Sequence, residues 1–267
     1  MDPHWPDVAS EAYRRFSKYY DLVYADLPYE ADCDFLESVF RKFLPKRPAS
    51  VLDVACGTGP HAVILGRRGY AVTGLDLSPG QLRLARAKVR GTRLPVAFVR
   101  GDIRRFDLGR SFDAAVCMFG GFGYLLSDRD VLAHFRSVRR HLGPRVVYVF
   151  EFWQESGVKP DHRSWLHRQQ PFRLIRLDES HYDPKRHRLP FDLYFFVFEG
   201  NRLKERFTES HTIRLYRLAE VRGLLARAGL RLAGAYAGDG ERKGFRPVRR
   251  GTFRVMAVAK PAVRGSP

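Results

Sequence analysis

Cysteine is scarce in this chain of 267 residues, with three thiols at positions 33, 56 and 117. None stands in a CxxC pair or at Cys/His ligand spacing. An odd, scattered set argues against both a disulfide framework and a zinc site, and small buried apolar side chains are expected instead. There is no uncharged apolar run of about 18 residues, so no membrane-spanning helix is expected. The first residues, MDPHWPDVASEAYRRF, lack the basic-then-apolar pattern of a secretory signal. A soluble, cytoplasmic protein follows as the expectation. Asparagine occurs once, at position 201, and arginine far outnumbers lysine. That bias suits GC-rich coding or a heat-adapted source that avoids thermolabile amides. Acidic residues are the minority, 29 against 47 basic ones, for a net charge of +18. A polyanionic partner such as RNA is one reading of that charge. Clusters such as Arg104-Arg105, Arg139-Arg140 and Arg249-Arg250 never grow into a tract, however, so composition is the favoured reading and nucleic acid the second.

What the chain does have is apolar material, 45% of its residues, arranged in three rhythms. Residues 1–48 read as helical. In YEADCDFLESVFRKFL the residues Cys33, Leu36, Phe40 and Phe43 recur at helical spacing until Pro45 and Pro48 end the pattern. Upstream, YRRFSKYYDLVY carries Tyr13, Tyr19, Tyr20 and Tyr24, which read either as an aromatic face packed on the core or as a lid over a ligand. From residue 50 strands and helices alternate: SVLDVA, HAVILGRRG, AVTGLDLS, then PGQLRLARAKVRG with Ser78 as N-cap and Pro79 at its first position. PVAFVRGDI and SFDAAVCMF follow as strands, DRDVLAHFRSVRRHLG as a helix ended by Gly143, and RVVYVFEFW as a fifth strand. This rhythm predicts an α/β fold with a doubly wound, mostly parallel sheet. After Trp153 the rhythm breaks into three alternating runs over 171–215, an inserted antiparallel meander. LAEVRGLLARAGL, RLAGAYAG and TFRVMAVAK then resume the parallel unit with a closing strand pair, one strand of it antiparallel, and the tail VRGSP is expected to fray. The expected organisation is a helical lid over 1–48, a core formed by 49–153 and 216–262, and an inserted β subdomain over 154–215.

Open parallel sheets bind ligands beyond the carboxyl ends of their strands, at the switch point. Three such ends carry chemistry here. DVACGTG follows the first strand, where Gly57 and Gly59 allow close backbone approach and Asp53 suits a cationic amine. Asp76 ends the second strand, 17 residues beyond Gly59, placed to accept from ribose hydroxyls. Gly-Asp-Ile ends the third, where Asp102 suits an adenine amine and Ile103 its ring. A P-loop ending in Gly-Lys-Ser/Thr is absent, and the dinucleotide pattern G-x-G-x-x-G is broken at its third glycine. An acid within the first strand end also disfavours a pyrophosphate. An amino-acid nucleoside satisfies all of these groups, and S-adenosylmethionine is the expected ligand.

The blocks VLDVACGTG, GLDLS, GDIRRF and FDAAVCMF, in this order and spacing, resemble class I S-adenosylmethionine-dependent methyltransferases over about residues 50–153. YDLVYADLPYEADCDFL, MFGGFGYLLSDRDVLAHFRSVRRHLGP and EFWQESG are similar to the subgroup that N-methylates small amines, including amino-sugar N,N-dimethyltransferases and glycine-type N-methyltransferases. Ala55 stands where many members have a glycine. The resemblance implies a Rossmann-like fold and a cofactor site drawn from Tyr20, Tyr24, Asp53, Ala55, Cys56, Gly57, Gly59, Asp76, Leu77, Asp102, Ile103, Met118 and Phe119, with Tyr20 and Tyr24 closing over the methionine end. No metal is expected, because methyl transfer from a sulfonium is an in-line displacement that rests on alignment and exclusion of water.

For the acceptor, the loop Met118-Phe119-Gly120-Gly121-Phe122-Gly123-Tyr124 offers one phenol and no His, Asp or Glu. An alcohol acceptor needs a base, whereas a neutral amine already has its lone pair; the loop therefore suits an amine, unless a base comes from elsewhere. Tyr124 is the candidate catalytic residue, orienting the acceptor or taking its proton, with a role in capping the core as the alternative. Tyr13, Phe122, Glu151 and Trp153 are candidate acceptor contacts, Glu151 as the partner of an amine or else as an intra-sheet carboxylate. The expected function is methyl transfer to a small-molecule amine. A tRNA or rRNA methyltransferase, and a non-catalytic binding module, are the alternatives, and the meander is expected to cap the substrate or form a homodimer contact.

Overall fold

The computed structural model describes residues 13, 15–158, 161–169, 171–238 and 245–262. The apolar runs that follow residue 50 become strands of one seven-stranded sheet. Its strands are β1 (Ser50–Val54), β2 (Ala71–Asp76), β3 (Val96–Arg100), β4 (Phe112–Cys117), β5 (Leu142–Trp153), β10 (Leu230–Ala237) and β11 (Arg254–Pro261). The central strands β1, β4, β5 and β11 are buried on both faces, and the edge strands are partly exposed. The order across the sheet is β10-β11-β5-β4-β1-β2-β3. The strands β1 to β5 pair in parallel, and β11 is antiparallel to both its neighbours. The last described strand, β11, therefore lies inside the sheet rather than at its edge.

Helices cover both faces: α2 (Tyr29–Phe43), α3 (Pro60–Arg67) and α4 (Pro79–Val89) on one, α5 (Asp128–Arg140) and α6 (Leu218–Arg227) on the other. The N-cap expected at Ser78 is present, its Oγ accepting from the Gln81 amide at 3.4 Å with Pro79 at the first helical position. The helix α5 ends two residues earlier than its sequence pattern suggests. His141 caps it, Leu142 and Gly143 already belong to β5, and Gly143 is no helix terminator.

The segment between β5 and α6 forms a separate four-stranded antiparallel sheet of β6 (Asp161–Gln169), β7 (Phe172–Ser180), β8 (Arg188–Glu199) and β9 (Arg202–Arg214). Three strands were expected; β6, DHRSWLHRQ, is the addition. It has almost no apolar alternation, and Trp165 is held on its inner face by the Arg176 guanidinium, 3.9 Å from the ring. The helix α1 (Ser17–Val23) lies between the two sheets. On the inserted-sheet side Phe16 and Val23 pack on Leu174, Phe195 and Phe207. On the core side Asp21 accepts from Thr58 at 2.6 Å and from Lys88 at 2.8 Å. Residues 1–12 of the expected lid and the VRGSP tail lie outside the described residues.

Candidate active site

Crossovers leave β1 toward β2 and β4 toward β5, in opposite directions, so the loops after β1 and β4 part and open a crevice at the carboxyl ends of the strands. A cavity of about 570 Å³ occupies it. The two loops approach closely: a Cβ on Gly121 would lie 2.6 Å from that of Ala55. Both loops hold non-glycine residues in the left-handed region, Ala55 at φ 59° and Phe119 at φ 54°. Such strain collects where a site dictates the backbone.

One half of the cavity is lined by Gly57, Asp76, Leu77, Gln81, Asp102 and Ile103. Asp76 accepts from the Gly57 amide at 2.9 Å and from the Ser78 amide at 2.8 Å, and burial raises its pKa. The carboxylate borders the cavity and has acceptor capacity beyond these amides. Asp102 also borders the cavity, and its carboxylate holds the Arg104 guanidinium at 2.5–3.0 Å. Two buried oxygens here lack a hydrogen-bond partner, Asp53 Oδ2 and Gln81 Oε1. Gln81 Oε1 would lie 3.7 Å from a Cβ placed on Gly57. Burial pushes the Asp53 carboxyl up to about 7, its charged form favoured only by His61 nearby. Asp53 does not itself border the cavity. A ligand bearing N–H and O–H donors would satisfy these acceptors, which is the chemistry of an adenosyl amino acid.

The other half joins three distant segments. Tyr13, Tyr124 and His211 meet there, with Tyr13 Oη 2.6 Å from Tyr124 Oη and Tyr124 Oη 3.1 Å from His211 Nδ1. Tyr20 and Phe119 line the cavity as well, as do Pro190, Asp192, Ser210 and Thr212 of the inserted sheet.

The methyltransferase-domain family model matches residues 51–145. The chain is 32% identical over 220 residues to dTDP-3-amino-3,4,6-trideoxy-alpha-D-glucopyranose N,N-dimethyltransferase of Streptomyces venezuelae, covering 80% of this chain and 89% of that one. It belongs to the S-adenosylmethionine-dependent methyltransferases. The crystal structure of Streptomyces venezuelae DesVI superposes with a TM-score of 0.77 at 28% identity, covering 92% of this chain and 98% of that one. The sugar N-methyltransferase KedS8 from Streptoalloteichus gives a TM-score of 0.76 at 25% identity, with coverages of 91% and 93%.

Several residues expected in the methyltransferase's site sit elsewhere. Phe122 is fully buried among Phe135, Phe150 and Tyr216, a core residue and not an acceptor contact. Glu151 is fully buried within the sheet; it accepts from Trp153 Nε1 at 2.9 Å and pairs with Arg254, so no lone carboxylate is left for a substrate amine. Trp153 packs at a tilt on Phe253 behind Gly120 and does not border the cavity. Cys56 and Met118 are packed in the core, Gly59 abuts Phe98, and Tyr24 packs on Tyr20 and Phe119 one layer back. Among the cavity's lining residues that the sequence left unmarked are Gln81 and His211. Gln81 reads as an ordinary first-turn helix residue. His211 was legible only in part: Glu209, His211 and Ile213 alternate onto one face of β9, but nothing local says what that face meets.

Proposed function

We propose that this methyltransferase transfers a methyl group to the nitrogen of a small amine, a sugar-borne amine being the class named for its Streptomyces relative. The observation that carries this reading is the make-up of the cavity. Among the described residues its charged lining is Asp76, Asp102, Asp192 and Arg104; Asp102 is paired with Arg104 and Asp76 faces the cofactor half, which leaves Asp192 for the acceptor. That balance suits a cationic or amine-bearing acceptor and offers little to a phosphodiester backbone.

In this reading Asp76 receives the ribose hydroxyls and Gln81 a further cofactor donor, Leu77 and Ile103 flank the adenine, and Asp53 supplies negative charge beneath the glycine turn. Bound S-adenosylmethionine supplies an electrophilic methyl group on a sulfonium sulfur. The remaining work of the chain is alignment and dryness. Tyr20 and Phe119 wall the cavity with apolar surface, and Tyr13 and Tyr124 place their phenol oxygens beside the acceptor. Burial raises both of these phenols above their ordinary range, so they stay neutral. Neutral phenols orient an amine and are poor bases for an alcohol.

Two further elements belong to the proposal. The three thiols are free and buried, which fits a reducing, cytoplasmic compartment. Leu166, Leu177 and Leu203 are exposed, and the strand register puts them on the outer face of the inserted sheet, which supports a homodimer contact there.

The test is a labelled-methyl screen of amino sugars, each paired with its hydroxyl analogue, alongside thermal melting. S-adenosylmethionine should raise the Tm of the wild type and leave Asp76→Ala unmoved, with label entering the amine of a pair. Label appearing on the hydroxyl analogue, or on bulk tRNA alone, overturns the amine reading.

A further inference from the structure

The hydroxyls of Tyr13 and Tyr124 and the His211 imidazole form one chain of hydrogen bonds along the cavity wall. Such a chain has a direction, and two orders of its protons are open to it. In one, His211 Nδ1–H donates to Tyr124, which donates to Tyr13. In the other, Tyr13 donates to Tyr124, and Tyr124 donates to a bare Nδ1.

The choice is made at the far end of the ring. His211 Nε2 is buried without a hydrogen-bond partner, and Glu209 Oε2 lies 3.8 Å from it. The Glu209 carboxylate is fixed as an acceptor by the amides of Tyr13 at 2.7 Å and Phe16 at 2.9 Å. An Nε2–H facing that oxygen is attracted to it, whereas a bare Nε2 lone pair is repelled. The ring is neutral, because burial pushes His211 down to about 4. The other titratable groups that bear on it are Tyr13 and Tyr124, both neutral, and Asp192 on β8. Phe191 covers one face of the ring by stacking at 5.1 Å. A neutral imidazole carries one proton, so an Nε2–H leaves Nδ1 bare.

We propose that His211 is a positioning residue that fixes the Tyr124 phenol as a hydrogen-bond acceptor toward the substrate, with Glu209 setting the imidazole tautomer. Tyr124 gives its hydrogen to Nδ1, takes one from Tyr13, and keeps a lone pair for the cavity. The proposal rests on the amine reading above and sharpens it. An acceptor amine donates an N–H to Tyr124, and its own lone pair stays free for the displacement. A phenol hydrogen aimed at the nitrogen would occupy that lone pair. An alcohol held the same way would keep its proton, because no group in the chain is basic enough to take it.

Two measurements test this. Long-range ¹⁵N–¹H spectra of the histidine-labelled wild type should show His211 with a pyridine-like Nδ1 and a pyrrole-like Nε2; the reverse pattern overturns the proposal, whatever the substrate. With an amine identified by the screen, His211→Leu should lower kcat by about tenfold or more while cofactor affinity holds. His211→Asn, whose Oδ1 can stand in for Nδ1, should recover most of that loss. Adding Tyr124→Phe to His211→Leu should cost little more, since both act through one bond. A folded, cofactor-binding His211→Leu variant with wild-type kcat overturns the proposal, as does an equally impaired His211→Asn. If wild type methylates no amine while the tautomer stands as described, the amine reading alone fails.

Discussion

Ala55 occupies a backbone conformation, φ 59°, that glycine adopts at no steric cost. Its left-handed turn costs roughly 1 kcal/mol. Its methyl group also faces Gly121 across the crevice, where a second Cβ would come within 2.6 Å. Gly121→Ala should therefore destabilise by about 1–3 kcal/mol in urea unfolding, as overpacking does, and Ala55→Gly should restore most of it. Strict additivity of the two changes would disprove the contact. Asp53 yields a second prediction at this scale. Its carboxyl titrates near pH 7, held up chiefly by burial. The neutral form offers no charge to an ammonium and the ionised form does, so cofactor affinity should rise with pH through about 7 and level off above it. Calorimetry across pH checks this, and Asp53→Asn should bind about tenfold more weakly with no such slope; an unchanged slope in that variant refutes the role. At this scale the acids at the strand ends were legible, because a residue's place at the end of a strand is a local property. Phe122 and Glu151 were not, because whether a side chain points into a cleft or a core depends on what is stacked against it.

The element on which the Tyr13, Tyr124 and His211 half of the cavity depends is α1. It contributes little core of its own and is held from both sides, by Asp21 to the parallel sheet and by Phe16 to the inserted one. Phe16 is fully buried, with its ring 4.6 Å from that of Phe195. Phe16→Ala should cost about 3–5 kcal/mol locally. Because Tyr13 is anchored through the same turn, hydrogen exchange over α1 should accelerate sharply while the protection of β1 stays as in wild type. Equal acceleration in both would mean that α1 is an integral part of the global core. The helices and parallel strands could be read from their periods and caps. The strand β6 could not: its inner face meets the Arg176 guanidinium through Trp165 and its outer face is open, so it lacks the apolar alternation by which its neighbours were read.

For the molecule as a whole, the net charge of +18 has no matching concentration among the described residues of the cavity wall, where three carboxylates stand against one guanidinium. The outer face of the inserted sheet is where apolar surface is left over. If it joins two copies, sedimentation should give a dimer, and Leu166→Arg with Leu177→Arg should give a monomer that binds cofactor as before. A wild-type monomer at micromolar concentration would refute the contact. The strand and helix rhythm, the glycine turn and the acids at the carboxyl ends of β1, β2 and β3 were determined by the sequence alone, because each depends on neighbours a few residues away. From them came the sheet, the cofactor and the class of reaction. What only the tertiary structure decided is the half of the cavity where Tyr13, Tyr124 and His211 meet. Tyr124 meets Tyr13 across 111 residues and His211 across 87. Those contacts exist because an inserted sheet and an N-terminal helix dock on the same crevice, and docking is set by the packing of whole faces, which no local pattern in the chain records.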